Sequence, residues 1–422
     1  MSLLGTIVDR LRRGSAPSAQ ALHQRLAETI RRGERQAALA LCDEILARWP
    51  DDARALLGAA VIRLKDGQPE RAVSHFARLD ELESGGARSA RLVRESLMDP
   101  QRAARSEAYV ALLDDVLVDT AYWSVIDGEQ IFTREIQART VANSPLVRGR
   151  VSRDGQQCVV SLPRAPLRID EPCVLLGSDY NYAHWVLRNL LKLSLLEGAH
   201  VPAGTRYLVR EDLRRWQCEY LELIGITEER LLRVPDRSVV ACRRLYVPTQ
   251  LRNHPRMGQG MSWLRARVAP LLAAPSEAND LVYASRREQG KRRLLNEAQV
   301  EAALAPLGFR IIVPGEMSVR EQIEAFSRAR VVVAPHGAGL ANMVFAPPGA
   351  ALLEILSAAI LHMDEFRYLC KAAGMRTRSV VSQDMEAAPA VAEGPEMHRD
   401  YRVDVGEVLS AVGELLASLS TR

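Results

Sequence analysis

The sequence predicts a mixed α/β protein in which two Rossmann-like domains face a cleft and an all-α region of helical repeats precedes them. Three observations support this prediction. From Val116 onward, short β-branched runs alternate with helical patterns, as in α/β domains. One run, at 331–334, ends in a glycine-rich loop, the kind of edge where such sheets bind ligands. Within the first hundred residues, helical patterns instead recur at a fixed spacing.

Length, composition and charge restrict the class of protein. The 422 residues, 47% hydrophobic and 26% charged, suffice for two or three folded domains. A net charge of +4 suits phosphorylated substrates or an anionic membrane surface but is too small to indicate nucleic acid. A nucleic-acid partner is therefore not expected.

Cysteine usage and the N-terminus indicate a cytoplasmic location. The six cysteines are scattered without metal-ligand spacing, as buried thiols in a reducing compartment are. No signal peptide and no apolar run long enough to span a membrane is present. Residues 3–13 place apolar side chains on one helical face beside three arginines. This face could contact the inner surface of a membrane or pack on its own domain, and packing is favoured.

Residues 20–83 repeat at a spacing of 34 residues, which is typical of a tetratricopeptide array. Gly33 aligns with Gly67, and Cys42 aligns with Phe76. About two repeats are visible, fewer than an independently stable array contains, so they are expected to pack on the next domain or on a second copy of the chain. A groove for a protein partner and a docked helical cap are the alternatives. No catalytic residue is expected here.

Changes of pattern predict the domain limits. These are 1–105 for the helical region and a polar linker, 106–255 for the first α/β domain, 256–400 for the second, and 401–422 for a C-terminal helix that could cross back to the first. The stretch 253–261, which contains two glycines, is a candidate hinge. In the second α/β domain, Asn296 is predicted to cap a helix that Gly308 ends. Ser318 and Glu321 predict a capping box.

The glycine-rich loop after 331–334 can bind an anion. Gly337 and Gly339 can adopt positive φ and bring backbone N–H groups to a phosphate, and the helix that begins near Leu340 presents its N-terminus. His336 can add a donor or a positive charge. Asn342 replaces the third glycine of a dinucleotide fingerprint, and the chain has neither an esterase nucleophile elbow nor a P-loop motif. A nicotinamide enzyme, an esterase and a P-loop NTPase are therefore disfavoured.

Three ordered blocks carry a resemblance to a known family. They read YNYAHWVLRNLLKLSLLE at 180–197, VYASRREQGKRRLLNE at 282–297 and HGAGLANMVFAPPGA at 336–350. In these blocks the chain resembles the family-61 glycosyltransferases, and the resemblance extends over roughly residues 110–385. It implies the GT-B architecture and an inverting transfer from a nucleotide sugar, UDP-linked, to a glycan or lipid-linked glycan. It also implies a role in surface-polysaccharide assembly.

Such a reaction requires groups that neutralise the diphosphate leaving group. The chain contains no D-x-D motif, so cationic side chains and loop amides are expected to do this without a metal or other cofactor. Arg286, directly after the first strand of the second domain, is the strongest candidate, whereas Arg292 is at least as consistent with a solvated loop. Glu354 interrupts an apolar strand and needs a partner, either a ribose hydroxyl or an arginine. The predicted donor-binding set is Ser285, Arg286, Lys291, His336, Gly337, Ala338, Gly339, Leu340, Asn342 and Glu354.

The acceptor hydroxyl requires a general base. His184 lies in the first turn of the helix that follows strand 173–177, and a near-neutral pKa suits histidine to this role. Asp179 is the second candidate, and packing of His184 beside Trp185 is the structural alternative. The leading hypothesis is thus an inverting, metal-independent glycosyltransferase. The alternative is an inactive adaptor that binds partners or a second copy through its repeats and keeps the nucleotide-binding scaffold.

Overall fold

The computed structural model describes residues 20–137, 144–150, 156–382 and 397–420. The chain divides into two compact units, of which unit 1 comprises 1–100, 111–173 and 234–246, and unit 2 comprises 101–110, 174–233 and 247–422. The domain limits at 105 and 255 remain predictions. The N-terminal stretch 3–13 lies outside the described residues. In the part of the chain that is described, no helix is long and apolar enough to cross a membrane.

Unit 1 begins with the predicted helical hairpins. Gly33 and Gly67 end equivalent turns with nearly equal φ values of 76° and 73°, which confirms the 34-residue repeat. The aligned Cys42 and Phe76 are both fully buried, and Phe76 packs in a cluster with Val159 of the following sheet. The helices are α1 (Gln20–Arg31), α2 (Arg35–Arg48), α3 (Ala53–Lys65) and α4 (Pro69–Ser84).

The rest of unit 1 is mainly sheet, in the order β11-β2-β3-β4-β1-β6-β5, with β7 beside β11. The polar linker predicted after Ser84 is wrong, because β1 pairs with β6 and β4 there and alternates buried and exposed side chains. Among the short β-type runs predicted from Val116 onward, β3 and β4 are confirmed as antiparallel neighbours, which a tight turn at Gly128 (φ 54°) joins. The strands are β1 (Arg88–Ser96), β2 (Val110–Asp119), β3 (Ser124–Asp127), β4 (Gln130–Phe132), β5 (Val147–Arg150), β6 (Gln157–Pro163), β7 (Leu167–Ile169) and β11 (Val239–Pro248), and the helix of this part is α6 (Arg134–Gln137). The short helix α5 (Pro100–Ala104) begins at the last residue of this segment of unit 1 and continues in unit 2.

Unit 2 begins its α/β part with three strands in the order β10-β9-β8. The predicted helix at 181–197 is present but irregular, since α7 (Tyr182–His184) continues as a π-helical turn and then as a 3₁₀ helix to Gly198. The stretch 253–261 includes the start of α9, where Gly260 packs on Leu191 with no room for a side chain, and its role as a hinge remains a prediction. The elements are β8 (Cys173–Leu175), β9 (Arg206–Arg210), α8 (Arg215–Leu223), β10 (Leu231–Val234) and α9 (Met257–Arg267).

A parallel five-stranded sheet, in the order β13-β12-β14-β15-β16, forms the rest of unit 2. Each strand predicted for this region from its apolar run is confirmed, because strands buried on both faces need such runs. The Ser318–Glu321 capping box is also confirmed. The elements are β12 (Asp280–Ala284), α10 (Glu297–Leu304), β13 (Phe309–Ile312), α11 (Val319–Ser327), β14 (Ala329–Pro335), β15 (Ala351–Leu356), α12 (Glu365–Ala372), β16 (Arg376–Val381) and α13 (Val405–Ser420).

Two predictions for this region need correction. Asn296 precedes α10 as predicted, but its side chain caps nothing in that helix and instead bonds both backbone groups of Val403. The C-terminal helix α13 does not cross back to the first α/β domain. Its apolar face packs with Tyr283 and Val300 against the parallel sheet. The helix thereby covers apolar surface of the sheet that would otherwise be exposed.

Lys192 is an unpaired cation in the core of unit 2. Its side chain is fully buried, and its Nζ has no hydrogen-bond partner among the described residues. Burial lowers the pKa of Lys192 from 10.5 to about 7. An ammonium without a partner in an apolar core costs stability, whereas an apolar side chain of similar length would not.

We therefore predict that Lys192→Met stabilises the protein at pH 7. Between pH 7 and 10 the unfolded chain keeps this proton and the folded chain releases it, so the cost of Lys192 falls as the pH rises. The stability difference between variant and wild type should shrink by about 2–3 kcal/mol from pH 7 to pH 9. Urea unfolding of both proteins at the two pH values measures this, and an unchanged difference would contradict it.

Candidate active site

A cavity of about 480 Å³ opens at the carboxyl edge of the parallel sheet in unit 2. Strands β12 and β14 are neighbours there, and the loops after both strands line the cavity. This is the edge where open α/β sheets bind ligands. The wall includes the following residues from the predicted set: Ser285, Arg286, Lys291, Gly337, Ala338, Gly339 and Leu340.

The buried carboxylate of Glu297 fixes the end of β12. Its Oε1 accepts hydrogen bonds from the Tyr283 hydroxyl (3.1 Å), the Ser285 hydroxyl (3.0 Å) and the backbone N–H of Arg286 (2.9 Å). Together these donors offset the cost of burying a charged group. The Ser285 hydroxyl is thus already engaged, and the predicted contact of this residue with a ligand would have to compete with Glu297.

Arg286 lies against the glycine loop. A Cβ placed on Gly337 would come within 2.6 Å of Arg286 Cδ, so glycine is required there to admit the arginine. The expected positive φ is wrong at both loop glycines, because neither is in the left-handed region and Gly337 is fully extended (φ −176°). Close approach of a side chain, and not backbone conformation, selects glycine at 337.

Arg292 is a second cation in the same cavity. It is half-buried, and burial together with the charge of Arg286 lowers the pKa of Arg292 to about 10. Its backbone carbonyl accepts from Arg286 Nη1 (3.2 Å), and its Nη2 donates to the carbonyl of His336 (3.4 Å). Neither guanidinium forms an ion pair within the described part of the chain. Two adjacent arginines without carboxylate partners are suited to bind an anion such as a diphosphate.

Glu354 has a partner that neither sequence-based alternative named. Its Oε1 accepts from His336 Nδ1 at 2.6 Å, and both side chains are buried below the cavity. The His336 ring also packs against Phe366. The predicted arginine partner is therefore wrong, whereas the ribose contact of Glu354 remains a prediction, since its Oε2 has no hydrogen-bond partner among the described residues. The contact of His336 with phosphate remains a prediction, and its side chain does not line the cavity.

Asn342 joins the loop to the first α/β segment of unit 2. Its Oδ1 accepts from the Tyr182 hydroxyl (2.7 Å), and its Nδ2 donates to Gln322 Oε1 (2.7 Å). Asn342 is fully buried and does not line the cavity, whereas Tyr182 does. Its geometry fits positioning of the loop better than direct contact with a ligand.

The two candidate bases form one pair. His184 Nδ1 lies 3.0 Å from Asp179 Oδ2, while the His184 side chain keeps 23% of its surface exposed. An ionised Asp179 accepts the Nδ1 proton, so the lone pair of Nε2 can take a proton from a substrate. Neither residue lines the cavity itself, but Asp179 directly precedes the lining segment 180–182 and His184 follows it after Ala183.

Sequence reasoning missed several groups of the cavity wall. Arg292 was left out of the predicted set, because a solvated loop was at least as consistent with the sequence and nothing local distinguishes it from Arg287 or Arg293. Trp216 and Glu288 also line the wall without any sequence signal that indicated it. As for metals, no three His, Cys, Asp or Glu side chains within the described ranges come together as ligands would. Metal independence remains a prediction.

Comparison with known families gives two matches. Residues 182–353 match the family described as Glycosyltransferase 61, and residues 30–95 match a tetratricopeptide repeat. The first match contains both loops of the cavity and His184, and the second contains α2 to α4. The search of curated proteins returned no match.

Gly337→Ala should displace Arg286, because the new methyl group would occupy the space of its side chain. We predict that affinity for uridine diphosphate falls about 10-fold or more, the value of one charge-assisted hydrogen bond. Gly339→Ala is the matched variant, since its methyl would meet only Pro314 at an ordinary 3.5 Å. Titration calorimetry with uridine diphosphate on both folded variants measures the two affinities. Equal losses, or none at Gly337, would contradict the steric role.

Proposed function

We propose that this protein, a glycosyltransferase by its Glycosyltransferase 61 domain, transfers a sugar from a nucleoside-diphosphate sugar, UDP-linked, to a glycan or lipid-linked glycan. The observation that carries the donor assignment is the pair Arg286 and Arg292, two guanidinium groups without carboxylate partners beside a glycine loop. Their charges suit a diphosphate better than a neutral ligand.

The arginine pair supports departure of the diphosphate. As the bond from the anomeric carbon to the diphosphate oxygen breaks, the electron pair stays on that oxygen, and negative charge develops beside Arg286 and Arg292. Preorganised donors of this kind stabilise the transition state more than the ground state. Lys291, at the cavity wall, adds a third positive charge. The reaction is proposed to need no metal, because these groups replace the carboxylate-bound ion.

The His184–Asp179 pair supports activation of the acceptor. The acceptor oxygen forms the new bond to the anomeric carbon and gives its proton to His184 Nε2, while Asp179 holds the ring and stabilises the imidazolium that forms. A single displacement of this kind inverts the anomeric configuration. Tyr182, two residues before His184, is bonded to Asn342 of the donor loop, which favours a base close to the reacting bond.

Three wider proposals accompany this function. The GT-B arrangement is proposed for the α/β regions, supported by the parallel sheet with its ligand edge. Surface-polysaccharide assembly at the cytoplasmic side of a membrane is the proposed setting, supported by the sequence resemblance alone. The tetratricopeptide region is proposed to bind a protein partner or a second copy of this chain.

Arg286→Ala and His184→Ala should separate binding from chemistry. Loss of Arg286 removes a charge-assisted contact worth about 1.5–3 kcal/mol, so nucleotide affinity and rate should both fall about 10-fold or more. Loss of His184 should lower the rate roughly 10²–10⁴-fold and leave nucleotide affinity unchanged.

Calorimetry with uridine diphosphate and initial rates with a nucleotide-sugar panel, both with EDTA present, provide the measurements. Wild-type activity that requires added Mn²⁺ or Mg²⁺ would contradict metal independence. Weakened nucleotide binding, or near-normal turnover, in folded His184→Ala would contradict its role as base.

A further inference from the structure

Among the described residues, the wall of the cavity carries one acidic side chain, Glu288. The other ionisable groups of opposite sign at the wall are three basic side chains and a histidine that becomes a cation when protonated, namely Arg286, Lys291, Arg292 and His398. A carboxylate repels a diphosphate and accepts hydrogen bonds from hydroxyl groups. Its presence in a site for a polyanion therefore favours a ligand with hydroxyl donors at that place.

Glu288 and Arg286 lie on opposite sides of the same strand end. Strand β12 runs between β13 and β14. Arg286 lies against Gly337, after β14, whereas Glu288 lies against Gly315, after β13. The strands β13 and β14 are roughly 10 Å apart because β12 lies between them, while their loops approach each other at Pro314 and Gly339. Arg286 and Glu288 thus face different loops of the same edge.

The Glu288 carboxylate has free acceptor capacity. Its hydrogen bond in the structure comes from the adjacent Gln289 Nε2 at 2.9 Å, and it makes no ion pair with another described residue. Gly315 provides the room that it occupies, since a Cβ there would lie 2.5 Å from Glu288 Oε1. Glu288 is exposed to the cavity, unlike Glu354, which is buried and bonded to His336.

We propose that Glu288 binds the ribose hydroxyls of the donor nucleotide and selects ribonucleotides over deoxyribonucleotides. This inference rests on the proposed function. The sugar to be transferred also carries hydroxyls, but the segment of the candidate base is bonded to the β14 loop. Tyr182, close in sequence to His184, donates to Asn342 of that loop. In a nucleoside-diphosphate sugar, the diphosphate lies between the ribose and the transferred sugar. With the transferred sugar near the β14 loop, the ribose is placed near the β13 loop.

The test compares ligands as well as variants. Affinities of the full-length wild type, Glu288→Gln and Glu316→Gln are measured by calorimetry for uridine diphosphate, its 2′-deoxy and 3′-deoxy forms, and UDP-glucose. Guanosine diphosphate and its deoxy forms are a second series. Glu316→Gln is the matched control, because it removes the same charge from the neighbouring loop at an exposed residue outside the cavity wall.

We expect wild type and Glu316→Gln to bind the ribonucleotide about 10-fold more tightly than at least one deoxy form. Glu288→Gln should reduce this ratio to about 2 or less. Because the ratio compares two equally charged ligands, the lost repulsion between carboxylate and diphosphate cancels in it.

Three results would overturn the inference. If Glu288→Gln still binds the ribonucleotide about 10-fold more tightly than the deoxy form, another group binds the ribose. The proposed function would then stand. A loss that appears only with UDP-glucose and not with uridine diphosphate would assign Glu288 to the transferred sugar. Failure of the wild type to bind either nucleotide would overturn both this inference and the proposed function.

Discussion

The candidate site depends on the hydrogen bonds that Glu297 accepts at the end of β12. A buried carboxylate is stable only when its oxygens are bonded, and here the donors are Tyr283, Ser285 and the N–H of Arg286. Because a backbone N–H is among them, the carboxylate fixes the direction in which the chain leaves the strand. Arg286 consequently points across to Gly337 and meets Arg292.

A second set of contacts within unit 2 brings the segment of the candidate base His184 to the glycine loop. Tyr182 bonds Asn342, and Tyr220 stacks on Phe345. The carboxylate of Glu219 accepts the N–H groups of Val319 and Arg320, which are otherwise unpaired at the start of α11. Groups held in this way before a substrate binds lose little freedom on binding, which lowers the entropic cost of the reaction.

Local signals in the sequence predicted much of this fold. The repeat spacing located the helical hairpins, apolar runs located the parallel strands, and the Ser318–Glu321 pattern located a helix start. These features depend on residues close in sequence. Errors arose where a distant partner decides the outcome, as for β1, which becomes a strand by pairing with β6. Asn296 is a second case, because its side chain bonds Val403 and does not cap α10.

The same distinction applies to the site. Arg286 and the glycine loop were identified because strand ends and glycines are visible in sequence, and the structure places them in one cavity. The partner of Glu354 was not identified from the sequence, because its pairing with His336 depends on the register of two neighbouring strands. Arg292 was missed because burial distinguishes it from the arginines around it.

A crystal structure of the protein with uridine diphosphate tests the central claim most directly. The account predicts diphosphate oxygens within hydrogen-bond distance, about 2.7–3.2 Å, of the Arg286 and Arg292 guanidinium groups. The nucleotide should also contact the loop at 337–340. A nucleotide bound elsewhere, with both arginines free of contact with it, would contradict the account.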